Sequence, residues 1–167
     1  MEDHLVRQAF AAHSASLHRY ASRLTGDPDL AEDLVQDAFI RYARQAGILS
    51  DKAWLFRVVS NLACNASRAD GRRRGLLGRV RFRQPMADLP PGPDEAYEKK
   101  ELRSLVREAL NRMPERDRVL LLMREEGFTH AEIAAAVDST TKSVGTLLAR
   151  ALRKISTHLE EVQEALT

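Results

Sequence analysis

Apolar positions recur at spacings of three and four along most of this 167-residue chain, and nowhere does a sustained two-residue alternation replace them. That periodicity predicts helices at about 3–24, 28–46, 52–69, 94–112, 115–126, 130–137 and 140–160, and no sheet. Between 70 and 93 the pattern breaks. Gly71, Gly75, Gly78, Pro85, Pro90, Pro91, Gly92 and Pro93 all fall there, and the Pro-Pro-Gly-Pro run cannot lie inside a helix. The reading is all-α: two small helical domains, 1–70 and 94–167, joined by an extended, flexible linker at 71–93.

Three of the predicted helices carry more than a core stripe. Asp27-Pro28 is a strong helix start, with Asp as N-cap and Pro at the first helical position. In the helix that follows, Ala31, Leu34, Val35, Ala38 and Tyr42 form the inward stripe, with Phe39 at its border. Asp33, Gln36, Asp37, Ile40, Arg41 and Arg44 form an outer stripe that is charged yet interrupted by isoleucine. In 53–68, AWLFRVVSNLACNASR, the positions Trp54, Leu55, Val58, Leu62 and Ala66 are expected to face inward. Arg57, Ser60, Asn61, Cys64, Asn65 and Arg68 share the other face, with no carboxylate before Asp70, and the chain then runs into Arg72, Arg73 and Arg74. Arginine, asparagine and serine without acids suit phosphates and base edges. Residues 129–152 read as a helix-turn-helix: Thr129 and Glu132 form a capping box, Asp138-Ser139-Thr140 make a polar turn, and Val144, Leu148, Ala151, Leu152 and Ile155 mark the inward stripe of the second helix.

Charge changes this picture by its placement, since the net formal charge is only +2. Asp27, Asp29, Glu32, Asp33 and Asp37 cluster with no base among them, whereas Arg68, Arg72, Arg73, Arg74, Arg79, Arg81 and Arg83 meet a single acid, Asp70. Two oppositely charged partner surfaces on one molecule are the expectation. Cys64 is the sole cysteine, which excludes an internal disulfide and a thiolate zinc site. The histidines, His4, His13, His18, His130 and His158, are scattered. No metal site, cofactor or intrinsic catalysis is expected. No apolar run approaches the roughly 20 residues that cross a bilayer, and the N-terminus has no signal-peptide core, so a cytoplasmic protein is expected.

Three segments, in this order, resemble bacterial RNA polymerase sigma factors of the extracytoplasmic-function subgroup: RLTGDPDLAEDLVQDAFIRYAR (23–44), AWLFRVVSNLACNASR (53–68), and LNRMPERDRVLLLMREEGFTHAEIAAAVDSTTKSVGTLLARALRKI (110–155). The resemblance covers about residues 5–160. It implies an N-terminal region 2-type bundle of three to four helices and a C-terminal region 4-type helix-turn-helix bundle. It also implies a core-polymerase contact on the clamp helices of the largest subunit through Asp33, Gln36, Asp37, Ile40 and Arg41. Minus-ten recognition on the separated non-template strand is implied for Arg57, Asn61, Asn65 and Arg68, with loop residues Ile48, Leu49, Ser50 and Asp51 where a flipped base is held. Minus-thirty-five recognition in duplex DNA, beside the polymerase flap, is implied for Thr141, Lys142, Ser143, Thr146, Arg150 and Arg153. The chain departs from the family at Gly145 and Leu147, where bases are common. In the family the linker threads toward the active-site and RNA-exit channels; Arg79, Arg81 and Arg83 are open to contacts with template or RNA and equally to a solubilising role.

The partners implied are core polymerase, promoter DNA and an anti-sigma factor covering both domains, with one copy per polymerase and a monomer when free. Two other readings compete. A stand-alone helix-turn-helix regulator leaves the acidic helix unexplained, and a sigma-like decoy that sequesters a regulator leaves the Arg/Asn face unused.

Overall fold

The computed structural model describes residues 2–77 and 97–167, with the backbone alone described at 70–77 and at 97. Seven helices and no strand are found among the described residues: α1 (Asp3–Thr25), α2 (Pro28–Arg44), α3 (Asp51–Leu77), α4 (Tyr97–Asn111), α5 (Glu115–Glu125), α6 (His130–Ala136) and α7 (Thr141–Ala165). The expected linker residues 78–93 lie outside the described residues.

Local chemistry sets the ends of these helices. Gly26 closes α1 in the left-handed region at φ 69°, its N–H bonded to Ser22 O at 2.9 Å. The Asp27 carboxylate then accepts from the N–H groups of Asp29 (3.1 Å) and Leu30 (3.2 Å), opening α2 with Pro28 in its first turn. A β-carbon on Gly26 would stand 3.1 Å from Asn111 Oδ1, at the end of α4. Gly26→Ala therefore combines backbone strain with a side-chain clash. We expect it to cost about 1–2 kcal/mol, read as a lower urea midpoint at unchanged slope.

Helices α1, α2 and α3 pack on one another around Leu17, Tyr20, Leu24, Val35, Ala38, Leu55 and Val59. Helices α4 to α7 close around Met113, Val119, Leu120, Met123, Ile133, Val144, Leu148 and Ala151. These two groups join in one apolar cluster, because α1 and α3 also pack on α5, and α3 on α6. At this seam the Phe56 and Phe128 rings lie 5.0 Å apart, tilted by 55°, with Lys52 Nζ 5.2 Å from the Phe128 centroid. On α5, Arg118 is fully buried and paired with Glu115 one turn back.

The structure corrects the sequence expectations in three places. Helix α3 does not stop at 69, so the chain is still helical where a linker was expected to begin at 71. Arg72 to Arg74 are good helix formers, Gly71 and Gly75 cost only about 1 kcal/mol each relative to Ala, and the first proline comes at 85. Ser60, expected on the outer face of α3, is fully buried: its hydroxyl donates to Phe56 O at 2.7 Å and lies 2.6 Å from the Tyr20 hydroxyl. The buried arc of α3 is centred on Leu55, Phe56, Val59, Ser60 and Ala63, while Trp54, Val58, Leu62 and Ala66 are only half-buried. Packing by α1 and α2 on one side and by α5 and α6 on the other widens and rotates that arc.

Candidate polymerase and promoter interfaces

On α2 the inward stripe is buried as the spacing requires, and Phe39 joins it. The opposite side presents Asp33, Gln36, Ile40 and Arg41 to solvent, with Asp37 half-buried. Ile40 is 53% exposed, which leaves an apolar side chain standing inside a polar rim. That rim is loosely held. Asp37 and Arg41 pair at 3.4 Å one turn apart, and Gln36 Nε2 reaches Glu32 Oε1 only at 3.5 Å. Exposed pairs of this kind contribute about 0.3–0.5 kcal/mol, so a partner can rearrange them at little cost.

The loop after α2 carries Ile48 half-buried, Leu49 fully exposed and Ser50 exposed, with the Ser50 hydroxyl accepting from Ala53 N–H at 3.4 Å at the start of α3. Asp51 is half-buried beside Tyr42; burial, and then this carboxylate, push the Tyr42 hydroxyl up to about 12. Along α3, Asn61, Asn65 and Arg68 are exposed and Arg57 is half-buried. Cys64 is half-buried, and its thiol is raised first by desolvation and then by the Glu115 carboxylate, so it behaves as a small helical side chain at the seam.

The helix-turn-helix is α6, a turn, and α7. Thr129 accepts from Glu132 N–H at 3.2 Å while Glu132 Oε1 accepts from Thr129 N–H at 3.0 Å, which completes the expected capping box. Asp138 takes the left-handed turn conformation at φ 56°, and Thr140 caps α7 by accepting from Ser143 N–H at 3.2 Å. Thr141, Lys142, Ser143, Thr146, Arg150 and Arg153 are all exposed along one side of α7. Leu147 packs on the core, so the apolar residue there takes nothing from the exposed face. Gly145 faces open space: a β-carbon there would meet no atom of another element within 4 Å. Lys154 fixes the helix to α5 through Asp117 at 2.7 Å.

Residues 9–73 match the Sigma-70 region 2 family and residues 103–155 match Sigma-70, region 4. A curated relative, the ECF RNA polymerase sigma factor SigL of Mycobacterium tuberculosis, is 30% identical over 95% of this chain and 90% of its own length. The chain belongs to the extracytoplasmic-function sigma factors. It is thus a polymerase-binding, promoter-directing protein. The ECF RNA polymerase sigma factor SigE of Mycolicibacterium smegmatis is 31% identical over 94% of this chain, which spans only 61% of that longer relative. Among solved structures, the sigma factor RpoE in complex with the anti-sigma factor NepR from Bartonella quintana shares the fold at a TM-score of 0.72 and 23% identity, covering 92% of this chain and 96% of that one. The PhyRSL–NepR complex from Sphingomonas sp. Fr1 matches at 0.60 and 24%, covering 91% and 87%.

Of the residues expected to act, Ile40, Leu49, Asn61, Asn65, Arg68 and the six on α7 are free to meet a partner, and Arg57, Asp37, Ile48 and Asp51 are partly covered. Lys52 and Phe128, which join the two halves, were not singled out in the sequence, where neither stands on a patterned stripe. No group of three or more His, Cys, Asp or Glu side chains is placed to hold a metal among the described residues. No described helix is long and apolar enough to cross a membrane.

Proposed function

We propose that this sigma factor divides its work among three surfaces. The α2 stripe around Ile40 docks on the clamp helices of the polymerase's largest subunit. The loop Ile48–Asp51 and the Arg57, Asn61, Asn65 and Arg68 side of α3 capture the separated non-template strand of the minus-ten element. The exposed side of α7 enters the major groove at the minus-thirty-five element, next to the flap. The observation that carries this reading is the α3 face: Asn61, Asn65 and Arg68 stand exposed together, with no carboxylate between Asp51 and Asp70. Captured bases offset the cost of melting, and the protein itself performs no bond chemistry. It acts in the cytoplasm, one copy per polymerase, and an anti-sigma factor is its expected negative regulator.

Reading both elements requires the halves to part. Helices α3 and α7 both pack on α6, and two helix-packing distances amount to only about 20 Å. Elements about 25 base pairs apart span about 85 Å of straight duplex. The domain boundaries follow the same logic, with residues up to the end of α3 moving as one unit and α4 to α7 as the other.

Replacing Arg57 and Asn61 together by alanine should slow open-complex formation at least tenfold while core-polymerase affinity stays within about twofold of the parent. The measurement is permanganate reactivity of promoter thymines against time. Melting at the parental rate in the double variant refutes the assignment of this face.

A further inference from the structure

Gly26, Gly47 and Gly127 each stand in the left-handed region, where glycine is the residue that fits. Gly145 does not. It lies inside α7, one turn after Thr141, exposed, and a β-carbon there would meet only open space. Glycine is the poorest helix former after proline, so alanine would serve the free fold better. The packing and backbone of α7 give no reason for this residue.

Its place on the helix supplies one. Val144, Leu148 and Ala151 are buried, while Lys142, Thr146 and Arg153 point away from that core. At about 100° per residue, Gly145 falls midway between buried Val144 and outward Thr146, on the flank of α7. Lys154, nine residues on and so on the opposite flank, is held at 2.7 Å by Asp117 of α5. The Gly145 flank is the open one. Its exposed neighbours one turn either way, Thr141 and Ala149, are small, and no acidic residue stands in the first turn of α7.

A helix with its side chains is about 10–12 Å across, and the major groove is about 12 Å wide. A helix lying in that groove turns its outward face to the base edges and its flanks to the sugar–phosphate walls. We infer that Gly145 is a DNA contact made by the helix backbone itself: the missing side chain lets one sugar–phosphate strand of the minus-thirty-five duplex press against α7. The inference rests on the α7 reading given above and adds to it a residue with no side chain to contribute. A position that merely lacked a contact would take alanine equally well for the DNA and better for the helix. Only close approach sets glycine apart from alanine. Phosphate is the group favoured there, beside the positive end of the helix dipole and Lys142.

The test compares Gly145→Ala, Gly145→Arg and Arg150→Ala in the full-length chain, assembled with core polymerase at one fixed salt concentration. The probes are a duplex promoter fragment that the parental holoenzyme selects from a random library and the same fragment with its minus-thirty-five element scrambled. Thermal unfolding of each free chain runs in parallel. Gly145→Ala is expected to raise the melting temperature by about 2–4 °C and yet to weaken binding to the selected fragment about fivefold. Gly145→Arg should weaken it at least tenfold, although an added cation by itself favours DNA. Gly145→Arg binding as tightly as the parent, or more tightly, overturns the inference, since the position is then vacant space. A lowered melting temperature in Gly145→Ala overturns it too, because glycine would then serve the fold. Weak binding in Arg150→Ala with parental binding in Gly145→Ala removes the glycine contact and leaves the α7 reading standing. Parental binding in Arg150→Ala, with the scrambled fragment bound as well as the selected one, removes the α7 reading itself.

Discussion

Reversing one charge on α2, Asp33→Arg, is expected to lower affinity for core RNA polymerase on the order of a hundredfold, as juxtaposed like charges at a docking surface cost several kcal/mol. Asp33 is exposed and forms no ion pair among the described residues, and arginine is a good helix former, so the fold should be unaffected. The same variant should leave duplex binding by α7 unchanged, because that surface belongs to the other half of the molecule. Equal core affinity in a fluorescence titration would remove α2 from the polymerase contact.

The largest expected loss of stability lies at the seam. Glu115→Ala deprives the fully buried Arg118 of this carboxylate. Breaking a buried pair by removing one partner costs about 3 kcal/mol or more, because the guanidinium keeps its desolvation penalty and loses the attraction of this carboxylate. Replacing both residues, as in Glu115→Leu with Arg118→Met, removes the penalty along with the pair and should be less destabilising than the single change. Chemical denaturation of the three chains checks this order. If the single variant matches the parent, the ion pair contributes nothing to the fold.

Features that depend on short-range chemistry were legible in the sequence. Asp27-Pro28 announced α2, and the Thr129–Glu132 box announced α6; both form with the expected hydrogen bonds. The α2 stripes were legible because a helix packed from one side buries the arc its spacing marks. Helix α3 was harder. Two groups of neighbours cover it from different directions, so the polar Ser60 turns inward to meet Tyr20, a partner far away in the chain. Spacing along one helix carries no information about that partner. Arg118 was hidden for a similar reason, since an arginine in an amphipathic segment reads as exposed until its burial in the packed fold is known. Of the candidate contact residues, Asn61, Asn65 and Arg68 stand on the exposed side their spacing marked, the α7 set implied by the resemblance is exposed, and Arg57 is partly covered.

Transcription in vitro from a promoter library, with purified core polymerase and this chain as the sole sigma factor, tests the central claim most directly. The account predicts specific start sites that share a minus-ten and a minus-thirty-five sequence and disappear when Arg57 and Asn61 are replaced by alanine. Polymerase binding without a specific start site anywhere in the library would contradict it.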